Sequence, residues 1–123
     1  MSNFTLVRII SLVALGLSSA TEASAPLTGT VEKLEFGPSY RGIVVVDLSG
    51  QSNTPCANNP NGFDFAFDAS TDAGKLVFSA LLAAQRSNAL VTLLGEGECT
   101  LSPTVENLKW MQSKNDIQRN VKT

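Results

Sequence analysis

Phe63, Phe65 and Phe67 alternate with Asp64, Ala66 and Asp68, and this period of two predicts a half-buried strand with its aromatic face inward. Upstream, Tyr40 to Ser49 contains Ile43-Val44-Val45-Val46, apolar at every position, which suits a central strand covered on both faces. Thr28 to Phe36 reads as a strand through Val31, Leu34 and Phe36. Val31 has the opposite parity from the other two, so a bulge or strong curvature is expected there. Gly37-Pro38-Ser39 supplies the turn between these two strands. After the phenylalanines the period becomes helical. Ser70, Thr71 and Asp72 are candidate N-caps, Ala73, Leu76, Val77, Ala80, Leu81 and Ala84 form the expected core stripe, and the helix should end near Ser87-Asn88. Ala89 to Leu94 gives a fourth strand closed by Gly95-Glu96-Gly97, and Val105 to Met111 gives a weaker fifth. Gly50 to Gly62 (GQSNTPCANNPNG) is a long loop ending in Asn61-Gly62, a favoured hairpin corner.

The order is β-β-β-α-β-β, mainly β with one helix. It fits a five-stranded OB-like barrel in which the helix plugs the barrel between strands three and four. An open α+β sandwich with the helix on one face accommodates the same order.

The N-terminus obeys a different logic. An apolar run from Ile9 to Leu17 follows Arg8 and is too short to span a bilayer, which needs roughly 20 residues. Small residues gather from Ser18 to Ala25, so residues 1–23 read as a cleavable signal peptide cut after Ala23, with Ala20 as the second choice. Residues 24–112 then form the OB-like domain and 113–123 a polar C-terminal tail. The expected location is secreted or periplasmic, with no membrane span in the mature protein.

Export places Cys56 and Cys99 in an oxidising compartment and predicts a disulfide between them. Closing a loop of about 44 residues contributes on the order of 4 kcal/mol in the chain-entropy model. The formal charge is −2 for the whole chain, and losing both Arg8 and Glu22 leaves it unchanged. No basic face is available for phosphates, so nucleic acid is not an expected partner.

The chain has no histidine. A Ser-His-Asp triad is therefore absent, a catalytic zinc site is disfavoured, and Ala73-Gly74-Lys75-Leu76 lacks the first glycine and the Ser/Thr of a phosphate loop. Asp64, Asp68 and Asp72 invite an acid/base or metal reading. A solvated strand face accounts better for Asp64 and Asp68, and a capping role for Asp72. No enzyme activity, metal or cofactor is expected. What remains is recognition. Tyr40 and Trp110 offer aromatic platforms and Asn58 and Asn59 offer amide groups for a sugar ring. On the helical wheel Phe78 and Leu82 fall outside the expected core stripe, spaced i, i+4, and form a candidate apolar ridge for an oligomer interface.

The segment from Tyr40 to Cys99 (YRGIVVVDLSG, a Cys-bearing loop, FDFAFD, STDAGKLVFSALLAAQRSN, ALVTLLGEGEC) resembles small secreted OB-fold proteins related to the B subunits of bacterial AB5 toxins, in particular the subtilase-cytotoxin type. The resemblance covers about half of the chain and lies in element order and loop chemistry. It implies ring-shaped pentamers that bind cell-surface glycans, with the helices lining a central pore. No sugar-binding residue is carried over from that family. The expected function is a secreted, non-catalytic, oligomeric, glycan-binding domain. The alternative is a monomeric structural or inhibitory module of the envelope that binds another protein.

Overall fold

The computed structural model describes residues 25–50, 55–56 and 62–114. The expected signal peptide (1–23) and the tail from residue 115 lie outside the described residues. Five strands close into a barrel in the order β1-β2-β3-β5-β4. They are β1 (Leu27–Glu35), β2 (Ile43–Leu48), β3 (Phe65–Asp68), β4 (Leu90–Gly95) and β5 (Glu106–Ser113), with one helix, α1 (Asp72–Ser87), between β3 and β4. All neighbouring pairs are antiparallel except β3 with β5. The fold is OB-like. The fifth strand runs one residue into the expected tail, and the Lys114 amide still donates to the Leu90 carbonyl at 3.2 Å.

The expected bulge in β1 is present. Val31 pairs with Leu48 and Lys33 with Asp47, and the register shifts between the two pairs. The extra residue lets both Val31 and Leu34 reach the interior despite their opposite parity. It also bends the strand, so that Leu27 to Thr30 pair with β4 while the later residues pair with β2.

The core contains Val44, Val46, Leu48, Phe65, Phe67, Val91 and Leu93, with Leu81 and Ala84 of α1. A second apolar cluster of Val45, Phe63, Ala66 and Val105 lies on the outer side of β2 and β3, with Tyr40 and Ile43 at its margin. β2 is thus covered on both faces, as its unbroken apolar run requires. The cluster also corrects the expectation for β3. Its second face is solvated only at Asp68: Ala66 is inaccessible and Asp64 is 3% exposed beside Phe63 and Val105, so Phe63 packs on the outer cluster and not on the inward face with Phe65 and Phe67.

Helix α1 starts at Thr71, whose hydroxyl accepts from the Gly74 amide at 2.9 Å, and ends at Asn88 in the left-handed conformation. Its rotation differs from the wheel expectation. Gly74, Leu81 and Ala84 are buried, Val77 and Phe78 pack at the margin of the core, and Leu76 is 74% exposed. Gly74 is the cause. A Cβ there would lie 1.8 Å from the Asp68 carbonyl oxygen, so the helix can approach β3 only along its glycine side. That contact turns Phe78 toward the barrel and Leu76 away.

Candidate ligand-binding site

β3 and β5 are joined at two positions, Phe65 with Glu106 and Ala66 with Asn107. Beyond them the strands part, and the first turns of α1 bridge the gap. The result is a recess of about 280 Å³ with Phe67, Val77 and Leu108 among its apolar lining and Asp68, Glu96 and Lys109 among its polar lining. Rigid elements form its walls on three sides. Its fourth wall is the β4–β5 connection, residues 96–105, which includes Glu96 and Leu101.

That connection is held by two polar residues at the head of β5. The Asn107 side-chain oxygen accepts from the amides of Thr100 (3.2 Å) and Leu101 (3.1 Å), and its amide group donates to the Thr100 hydroxyl at 2.6 Å. Its backbone accepts from the Glu96 amide and donates to the Glu98 carbonyl, at 2.8 and 2.7 Å. Glu106 is fully buried and accepts from the Gly97 amide at 3.0 Å. Its carboxylate occupies the space where a side chain on Gly95 would lie, 1.7 Å from a Cβ built there. The disulfide between Cys56 and Cys99 adds a covalent tie to this loop, with a Cα separation of 5.9 Å. At the rim, the Ser70 hydroxyl and amide both donate to Asp68, at 2.6 and 2.9 Å. These bonds hold the Asp68 carboxyl below the usual aspartate range.

The expected site residues are distributed around the barrel. Tyr40 is the last residue of a 3₁₀ turn (Pro38–Tyr40), and its hydroxyl donates to the Glu35 carboxylate. The hydrogen bond to Glu35, desolvation and the charge of that carboxylate together raise the tyrosine above its ordinary value of 10.0. Trp110 stands opposite Leu94 on β5, with β3 between that strand and β2, and is 38% exposed. Asn58 and Asn59 lie outside the described residues. Tyr40 and Trp110 thus occupy different stretches of the barrel wall, and neither lines the recess.

Phe78 does not form an exposed ridge with Leu82. It is half-buried, in edge-to-face contact with Phe36 at 4.9 Å and 77°. Leu82 is 37% exposed, and the outward face of α1 is centred instead on Leu76, beside exposed Ala73 and Ala83.

A row of charged side chains crosses the outer wall formed by β1, β2 and β3. Lys33 is directly opposite Asp47, and the β2–β3 ladder ends at Val46 with Phe65, after which the Asp64 amide donates to the same Val46 carbonyl at 2.8 Å. The Lys33 ammonium lies 3.7 Å from Asp47 and 4.8 Å from the centre of the Phe63 ring. Asp64 accepts from the Leu48 amide at 2.7 Å. Desolvation raises the Asp47 carboxyl above the ordinary aspartate value, the charge of Asp64 and a hydrogen bond to it raise it further, and Lys33 opposes the shift. The sequence suggested setting Asp64 beside Asp68; in the fold its charge acts on Asp47.

No protein-family model matches the chain, and no curated protein or solved structure is similar enough to count as a match. Among the described residues, no helix is long and apolar enough to cross a membrane, and no group of three or more Cys, Asp or Glu side chains is placed to hold a metal ion.

Proposed function

We propose that this protein is an exported, non-catalytic binding domain that self-associates and takes carbohydrate, as its resemblance to toxin B subunits implies. The recess between β3, β5 and α1 is the observation that carries this reading. Sugars present apolar C–H faces and a rim of hydroxyls. An apolar floor edged by Asp68, Glu96 and Lys109 answers both. Its walls are fixed by the Thr71 cap, the Asn107 bonds and the disulfide, so little ordering cost attends binding.

Two features support a non-catalytic role. The chain lacks histidine, and the Thr71 hydroxyl at the recess is engaged as a helix cap. Self-association is supported by the outward face of α1, where Leu76 is 74% exposed.

A glycan array probed with the mature, oxidised protein tests the ligand, and light scattering tests the assembly. The expected outcome is retention of a glycan class by an oligomer. Lys109→Ala or Glu96→Ala abolishes retention without changing the mass, and Leu76→Asp reduces the mass to that of a monomer. A monomeric wild type that retains no glycan overturns the proposal in favour of an envelope module that binds another protein.

A further inference from the structure

Helix α1 buries Gly74, Leu81 and Ala84 and leaves its opposite face to water. Leu76 is 74% exposed, more than any other large apolar side chain among the described residues. At about 100° per residue, Ala73, Ser79, Ala80 and Ala83 fall within about 60° of it, so one large side chain stands among small ones. Charge marks both ends of the same face. Asp72 lies in the first turn, about 40° to one side of Leu76, and Arg86 lies in the last turn, about 80° round on that same side. Among the described residues neither makes an ion pair.

This face is complementary to itself under one operation. A two-fold axis between Ser79 and Ala80, the midpoint of α1, sets two copies of the helix antiparallel and keeps each flank on its own side. Leu76 of each copy then lies across from Ala83 of the other, a large side chain over a small one. Asp72 of each copy comes within one residue of the level of Arg86 of the other, on the same flank, and the opposed helix dipoles act in the same sense. Lys75, about 100° from Leu76, lies beyond Arg86 on that flank and stays in water. A parallel pair fails on each count, since it sets Leu76 level with Leu76 and gathers both Asp72 carboxylates at one end and both Arg86 guanidinium groups at the other. We propose that a second copy of this chain covers the outer face of α1 in this antiparallel two-fold register. The inference rests on the self-association proposed above and gives it a geometry, a closed pair in place of a ring. One helix face is smaller than the roughly 800 Å² per partner of a standard interface, so the pair is expected to form and dissociate with concentration.

Sedimentation of the mature, oxidised protein over a concentration series tests it, together with cysteine substitutions, both native cysteines being engaged with each other. The mass is expected to rise from monomer to dimer and stop there. Under mild oxidation Ser79→Cys cross-links to its own counterpart, because the two positions flank the axis. Ala73→Cys does not, because its counterparts lie about 20 Å apart along the pair. Asp72→Arg and Arg86→Asp each weaken the dimer about tenfold at low salt, and the double exchange restores it to within about threefold, with helical circular dichroism unchanged throughout. A protein that is monomeric at every concentration overturns this inference and the self-association on which it rests. A larger assembly, or cross-linking by Ala73→Cys, overturns the two-fold geometry alone. So does a double exchange that associates no better than the single variants.

Discussion

Asp64 and Glu106 lie at the heads of adjacent strands, and both are removed from water, at 3% and 0% exposure. Their surroundings differ in kind. Glu106 lies over the bare Cα of Gly95 and accepts from the Gly97 amide, so its burial organises the β4–β5 connection. Asp64 also accepts from an amide, that of Leu48, but its charge acts on a second carboxylate, that of Asp47. The contrast teaches that what faces a buried carboxylate decides its effect. Backbone donors make it a scaffold, while a like charge nearby raises the carboxyl that faces it, as Asp64 does for Asp47.

The strongest challenge to this comparison is Gly95→Ala. The new methyl group displaces a carboxylate that is enclosed on all sides, and a loss of about 3–5 kcal/mol in urea unfolding is expected. Asn107→Ala comes next, with a loss of about 2–3 kcal/mol, because three side-chain hydrogen bonds to the β4–β5 connection disappear together. Hydrogen exchange at the Thr100 and Leu101 amides should quicken while that at Leu48 is unchanged.

Asp47→Asn has the opposite sign and a smaller size. At pH 7 it stabilises by up to about 1 kcal/mol, since it removes the repulsion and keeps a donor for Asp64. The sign follows from proton linkage. A raised folded-state value means that the Asp47 contribution is full below the ordinary aspartate value of 3.8 and is lost as pH rises through the raised value, so the variant's advantage vanishes in acid. Asp68 works the other way. Its lowered value contributes stability above 3.8 that is lost as pH falls further, so wild-type stability should peak in mild acid, between the two titrations. Lys33→Met should have the smallest effect, a loss under about 0.5 kcal/mol at pH 7, because the exposed ammonium is screened. If Asp47→Asn and Asn107→Ala shift stability in the same direction at neutral pH, the contrast between the two sites fails.

Much of the scaffold was legible in the residues themselves. The alternating phenylalanines, the apolar run of β2, the parity break that became the β1 bulge and the Thr71 cap are local signals, and the Cys56–Cys99 pairing followed from the chain holding two cysteines. Each matches what the fold contains, except that of the three phenylalanines only Phe65 and Phe67 face the core while Phe63 joins the outer cluster. The candidate site was not legible in this way. Tyr40 and Trp110 were singled out for their chemistry and stand apart, while Asn107 and Lys109, which help to form the recess, carried no signal beyond that of polar residues in a weak strand.

Gly74 shows why. Within a helix read alone, replacing glycine by alanine adds about 1 kcal/mol of stability. In the folded protein the same methyl group meets the Asp68 carbonyl, so the sign reverses and the helix rotation is set by an atom outside the helix. The same holds for the carboxylates, since the charge of Asp64 acts on Asp47 only once β2 and β3 have paired. The sequence by itself determined which segments are strands and which is the helix, because those depend on the spacing of side chains along one stretch of chain. Tertiary structure decided which faces meet and which charges are forced together, because those depend on distances between segments that the chain's local pattern does not encode.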